Sequence, residues 1–402
     1  MMWHRKITIM YFVPLLVAAA TLLLISLYAK SAIMILITFL ILLANAIPYY
    51  YLKKTTENVS MANPIQKVKL FNDEEHIIKL SVKNFGRLPV FNGLLSFNIG
   101  NSVWCPELTA GSRNRTTNQF SFRFNLLSKK SLEFTIKVQG KKRGVARVSS
   151  IKLHTKDLLG VGTLDLDYQP FFQTEVIVYP ELRPVGGMDQ LRRFQQGNRP
   201  MQFSLFEDKT ATMGTRDYSS GDSFSDIHWK ASARSNELQT KQYEKTSGMH
   251  WTFILNLSRD RTDVSTKSDD LEKNISYVAY LCKYAATNGI PYDIFVNIKV
   301  HGKDYLMHLN AGEGREQLAK ALEMLARINL NSILVAEENM LAFIDRVMYR
   351  SPMIILVNCG KRESEQRFYQ RWIRRGTTLF EVEQKEDAAF IVPASAGKRA
   401  IS

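Results

Sequence analysis

The sequence predicts a multi-domain α+β chain: an N-terminal transmembrane helical hairpin, an antiparallel β-sandwich and a C-terminal doubly wound α/β domain. Three observations predict it. Two long apolar stretches stand side by side at the start, Ile7 to Ala29 and Ala32 to Leu52. Short runs that alternate apolar and polar residues fill the region from Pro64 to Pro180. After Met249 the pattern changes to short apolar strands separated by amphipathic helices. The boundaries that follow are an anchor over 1–58, a sandwich over 60–180, a linker over 181–248 and an α/β domain over 249–402.

A chain of 402 residues leaves room for about two globular cores beyond the apolar stretches. The formal charge of +15 raises the question of nucleic acid, but about half of the excess lies in residues 60–180, and the rest of the chain after 180 is nearly balanced. Basic residues close to an anionic leaflet explain that local bias, and no zinc-finger spacing or aromatic-glycine RNA motif supports a nucleic-acid partner. Cys105, Cys282 and Cys359 are far apart and form no CxxC pair, which argues against a disulfide framework and a thiolate metal site and fits a reducing compartment.

Each apolar stretch is long enough to cross a hydrocarbon core of about 30 Å as a helix. Arg5 and Lys6 precede the first and Lys53 and Lys54 follow the second, with Lys30 alone in the turn between them. The lysine and arginine bias therefore predicts a two-pass anchor in the cell membrane with both termini cytoplasmic, and Tyr49, Tyr50 and Tyr51 are expected at the lipid interface.

In the middle region "FSFRF" is the clearest strand, placing Phe120, Phe122 and Phe124 on one face and Ser121 and Arg123 on the other. Six or seven such runs, broken by glycine turns, predict a small antiparallel sandwich. The Leu158–Leu159 pair is expected at the tip of a turn packed on a neighbouring element.

In the last region "WTFILNLS", "PYDIFVNIKV" and "PMIILVN" read as buried strands, with "TTLFEVE" as the last. "DLEKNISYVAYLCKYAATNG" reads as a helix whose Leu271, Ile275, Val278, Leu281 and Cys282 share one face and which closes at Asn288-Gly289. Functional loops of such a sheet follow the C-terminal ends of its strands, which directs attention to Asn256, Ser258 and Asp260. This stretch resembles the Asp-x-Ser-x-Ser loop of von Willebrand factor A domains, which implies hard oxygen ligands for Mg²⁺. Here Asn256 stands in place of the aspartate, Ser258 is in register, and Asp260 replaces the second serine. The site is degenerate, no cofactor is expected, and Asn256 and Ser258 otherwise cap the following turn.

The densest constellation is "RDYSSGDSFSDIHWKASARSNELQTKQYE", residues 216–244. Gly221 permits a tight turn, after which Asp222, Ser225 or Asp226 is expected to cap a helix over about 226–236. Lys230 and Arg234 are one turn apart on a shared face, while Ile227, Ala231 and Trp229 are expected to contact packed surface. Arg216 is within reach of Asp222 or Glu244 for a forked ion pair. Catalysis is the least expected use of the run. His228 has Asp222, Asp226 and several serines nearby in sequence, but neighbours two apart on a helix point in different directions, and no Walker glycine loop exists in the chain.

Arg216, Tyr218, Gly221, Asp222, Ile227, Trp229, Lys230, Ala233, Arg234, Leu238 and Glu244 stand in an order that resembles the signature of the bacterial and archaeal domain-of-unknown-function 58 family. That resemblance implies a von Willebrand A-like C-terminal domain and a non-enzymatic partner or adaptor role. It also implies a MoxR-type AAA+ ATPase as partner, with a membrane transglutaminase-like protein as a possible second. A metal-dependent ligand-binding module using Asn256, Ser258 and Asp260 is the alternative.

Overall fold

The computed structural model describes residues 3–9, 12–106, 110–113, 117–157, 160, 162–191, 207–219, 222–245, 250–258, 270–300, 306–329, 332–347, 352–385 and 388–394. The chain is a mixed α+β protein with extensive sheet, and it divides into two compact units, Met1–Glu181 with Ala326–Asn329, and Leu182–Leu325 with Leu330–Ser402.

The first unit begins with a strand, Trp3–Ile9, not with a helix. Ile7 pairs there with Leu164 of strand Gly162–Tyr168, so Ile7 to Ile9 leave the expected apolar span and join a sheet. Helix Phe12–Tyr28 follows, then helix Ala32–Glu57, in which Ala32–Thr55 has the length and mean hydropathy, 2.3, to cross a membrane. The last turns of that helix belong to the protein core. Leu52 is buried and the Tyr51 hydroxyl donates to the Pro89 carbonyl at 2.6 Å, so of the three tyrosines expected at a lipid interface only Tyr49 and Tyr50 are exposed.

The strands that follow alternate as expected. In strand Thr117–Leu126, Phe120 and Phe124 are buried and Phe122 half-buried, while Ser121 and Arg123 point outward. An eight-stranded sheet and a four-stranded sheet contribute to one hydrophobic cluster, in which Phe97 and Phe134 each pack against Phe122. Pairing within these sheets is antiparallel except where Thr174–Val178 runs parallel to Gln66–Leu70. The Leu158–Leu159 tip lies outside the described residues.

The second unit is built on a seven-stranded sheet. Its centre is parallel: Trp251–Leu255 lies between Tyr292–Lys299 and Met353–Val357, and Thr378–Lys385 follows. Two antiparallel strands that the sequence did not announce, Leu306–Gly312 and Ala388–Pro393, flank this centre, and Val185–Gly186 adds a short parallel edge. The three central strands are buried on both faces, which explains their continuous apolar character. Helix Leu271–Thr287 buries Ile275, Val278, Leu281 and Cys282, and its Tyr284 stacks on Trp251 at 5.9 Å.

Helices Glu337–Val347 and Glu363–Arg374 are joined by Asp345. Its carboxylate accepts from Arg371 at 2.6 Å, from Arg375 at 2.8 Å and from the Trp372 indole at 2.9 Å. Partial burial acts to raise the Asp345 pKa, but the Trp372 and Arg371 hydrogen bonds and the two guanidinium charges outweigh it and hold the carboxyl below its ordinary value. A depressed carboxyl stabilises the fold above its unfolded pKa of about 3.9 and loses that contribution as pH falls through the folded value. Asp345→Asn is therefore expected to cost about 1.5–3 kcal/mol in urea unfolding at neutral pH. The gap from wild type should close in acid; a gap that persists below the folded pKa would contradict the clamp.

Candidate functional site

Residues 207–245 form a separate two-stranded sheet, Glu207–Asp217 paired with Gln239–Lys245, that carries the signature run between its strands. Asp222 is the hinge of the turn. Its Oδ1 accepts from Arg216 at 2.5 Å, and its Oδ2 accepts from the Ser219 N–H at 3.0 Å and the Thr240 hydroxyl at 3.1 Å. Arg216 foremost, then the Ser219 N–H, hold the Asp222 carboxyl below the usual carboxylate range. Of the two acids open to Arg216 in the sequence, Asp222 is shown as a partner, while the Glu244 side chain lies outside what the structure describes. The Glu244 backbone pairs with Asp208 across the hairpin. Gly221 lies outside the described residues.

The helix of the run is shorter than expected, Trp229–Ser235, preceded by a 3₁₀ turn over Phe224–Asp226. Its cap is not an acid or a serine. His228 fills that position, with Nδ1 accepting from the Ala231 N–H at 3.1 Å. The expected capping residues Asp222, Ser225 and Asp226 fall before the 3₁₀ turn ends, and that turn consumes a residue range the sequence pattern assigned to the helix. Asn236, with φ 60°, ends the helix in the left-handed conformation. Ser232 then anchors the returning strand, its hydroxyl accepting from the Gln239 N–H at 2.9 Å. Tyr218 N–H donates to Leu238 at 2.9 Å and His228 N–H to Gln239 at 2.7 Å, which closes the two ends of the run on each other. Ile227 is buried and bridges to Thr240.

Trp229 departs from its expectation. It is 59% exposed, packing only its edge on Phe224, itself 70% exposed, with ring centroids 5.7 Å apart. Leu238 adds a third exposed apolar side chain. Lys230 and Arg234 are exposed and line a groove together with Thr215, His228, Ser235 and Gln239. His228 uses Nδ1 for the helix cap, and no described serine hydroxyl hydrogen-bonds its ring, so the described residues assemble no acid-base-nucleophile relay.

At the ends of the central strands of the seven-stranded sheet lies a second polar cluster. Asn256 is fully buried; its Nδ2 donates to Glu337 at 2.7 Å, and its Oδ1 accepts from Asn297 at 2.7 Å and from the Ser258 N–H at 3.1 Å. Asn297 also donates to Ser258 Oγ at 3.0 Å, and Asn358 donates to the Asn256 carbonyl at 2.8 Å. Glu337, 2% exposed, accepts further from the Gly360 N–H at 2.6 Å and the Tyr369 hydroxyl at 3.3 Å. These described groups do not fit a hard cation: amide N–H donors point where Mg²⁺ needs oxygens, and the Asn256 and Glu337 oxygens are already occupied. Among the described residues no group of three or more His, Cys, Asp and Glu could hold a metal, and Asp260 lies outside them. Sequence reasoning missed Asn297, Glu337, Asn358 and Gly360. A signal was present, since "WTFIL", "DIFV" and "MIILV" each run into an asparagine, at 256, 297 and 358.

The three cysteines are buried and free, and burial pushes the Cys105 thiol up to about 12, which removes it as a thiolate nucleophile.

Among solved structures, a non-cellulosomal cohesin from Archaeoglobus fulgidus is similar at 9% identity, covering 35% of this chain and 99% of that one with a TM-score of 0.20. A β-glucosidase from Listeria innocua is similar at 13% identity, covering 30% of this chain and 16% of that one with a TM-score of 0.19. Likeness at that level carries no argument. The uncharacterised protein YeaD of Bacillus subtilis (strain 168) is 25% identical over 163 residues, 40% of this chain and 38% of YeaD. The match thus spans well under half the length of either protein. Residues 214–352, from the signature hairpin to just before strand Met353–Val357, match the family described as protein of unknown function DUF58.

Proposed function

We propose that this chain is a membrane-anchored cytoplasmic interaction protein, the partner of a MoxR-type AAA+ ATPase in the assembly or maturation of membrane or envelope complexes. The observation that supports it best is the exposed Phe224–Trp229 pair on a hairpin fixed by the Arg216–Asp222 bracket. Large aromatics are seldom left in water on a surface without a partner, and here the hydrogen bonds beneath them order the patch before binding. The identity of the ATPase rests on the resemblance carried by the run from Arg216 to Glu244. We read the seven-stranded sheet as von Willebrand A-like and doubly wound, with its metal loop converted to the Asn256–Asn297–Glu337 cluster.

The anchor reading has its own support. Strand Trp3–Ile9 precedes the two apolar helices and strand Val59–Ala62 follows them, and both Trp3 and Val59 lie in the same hydrophobic cluster. A segment that leaves a domain and returns to it crosses a bilayer an even number of times, so two passes put both ends on one side. The bias of Arg5, Lys6, Lys53 and Lys54 supports the reading that this side is cytoplasmic. A C-terminal alkaline phosphatase fusion should accordingly be inactive and a fluorescent-protein fusion bright; the reverse pattern overturns the orientation.

Trp229→Ala is expected to leave thermal unfolding nearly unchanged, since the ring is mostly exposed, and to weaken capture of the cognate ATPase by about 2 kcal/mol, roughly thirtyfold. Failure of the intact protein to retain the ATPase both with and without nucleotide would reject the partnership itself.

A further inference from the structure

We propose that the groove lined by Lys230 and Arg234 is a binding site for a carboxylate-rich segment of a protein partner. This rests on the interaction reading above and assigns that partner's chemistry. Among the described residues the charged side chains lining the groove are both cationic, and neither Lys230 nor Arg234 has an ion pair or hydrogen-bond partner there. They stand one helical turn apart, so their charges lie on one face. His228 adds a donor: because Nδ1 accepts from the Ala231 N–H, the neutral ring carries its proton on Nε2. The exposed hydroxyl of Thr215 lines the same groove.

The surrounding charge decides between an acidic peptide and an anionic leaflet. Residues 214–241 contain four cationic side chains, Arg216, Lys230, Arg234 and Lys241, and four acidic ones, Asp217, Asp222, Asp226 and Glu237. Summed over the run these charges cancel, so an extended negative plane gains no net attraction from it. A discrete carboxylate-bearing strand meets only the groove, where the charge is uniformly positive. Trp229 is exposed but does not line the groove, so the acidic side chains of the segment carry the recognition.

The test uses the full chain in phosphatidylcholine nanodiscs and, as probe, a fluorescein-labelled glutamate-rich peptide. Binding is expected, weakening as salt rises, and the Lys230→Glu, Arg234→Glu double variant should lose affinity about tenfold or more. The melting temperature should not change, because neither side chain is paired in the fold, and Lys230→Arg should bind as wild type does. Equal binding by the double variant overturns the proposal, as does peptide indifference with capture of phosphatidylglycerol nanodiscs offered in trans. Retention of the ATPase by a double variant that has lost the peptide would overturn this site while leaving the partnership standing. Peptide binding by a wild type that retains no ATPase would do the opposite.

Discussion

Replacing Glu337 by alanine is expected to destabilise the sheet-bearing unit by about 3–5 kcal/mol, the summed cost of leaving several buried donors without their acceptor. Three donors converge on this carboxylate from separate parts of the chain: the Asn256 amide after the first central strand, the Gly360 N–H after strand Met353–Val357, and the Tyr369 hydroxyl of helix Glu363–Arg374. Alanine leaves these buried donors without that acceptor, and each unsatisfied buried donor costs about 1–3 kcal/mol. Gly360 sits in a close-packed spot. A Cβ there would overlap the Glu365 carboxylate, which itself caps the neighbouring helix through the Arg362 N–H. Glu337→Gln keeps one acceptor oxygen but turns an N–H towards a donor, so it should fall between wild type and alanine. Hydrogen exchange in strands Trp251–Leu255 and Met353–Val357 measures this unit by itself. Protection unchanged to within about tenfold in the alanine variant would show that the network adds little.

Why this network escaped the sequence while the strands around it did not is a matter of range. A strand such as Trp251–Leu255 declares itself through five consecutive apolar residues, and helix Leu271–Thr287 through a repeat of three and four. Such local periodicity made the β-rich middle, the parallel centre and the apolar helices legible. Glu337 lies 81 positions from Asn256, and nothing local marks an acid at the start of a helix as buried. The same limit applies to the signature run. Its Arg216–Asp222 bracket spans 6 residues and could be read, whereas the capping role of His228 could not, because a 3₁₀ turn shifts the start of the helix. Trp229 differs from its expectation for a related reason: an aromatic residue is assigned to packed surface by average behaviour, and only the three-dimensional arrangement shows that this one is mostly exposed. The two antiparallel strands flanking the parallel centre were missed because Leu306–Gly312 and Ala388–Pro393 are half-covered and lack the continuous apolar run of their neighbours.

Phe120→Ala is expected to cost the sandwich about 3–5 kcal/mol, by lost transfer energy and by the cavity left in its place. Phe120 is fully buried beside Phe97, ring centroids 5.9 Å apart, on strand Thr117–Leu126, which pairs with Val90–Gly100 on one side and Ala110–Arg113 on the other. The neighbouring rings cannot collapse into the space, because Phe97 also packs against Phe122, which is held in turn by Phe134. The period of the strand supplies the control. Ser121 is one residue along and faces outward, so Ser121→Ala should change stability by no more than about 0.5 kcal/mol. The comparison is best made by hydrogen exchange in strands Val90–Gly100 and Thr117–Leu126. Comparable losses in the two variants would mean that the face assigned from the alternation in "FSFRF" is wrong. A selective loss in Phe120→Ala would also be expected to loosen strand Trp3–Ile9, since Trp3 shares that cluster and the strand holds one end of the apolar helices to the sandwich.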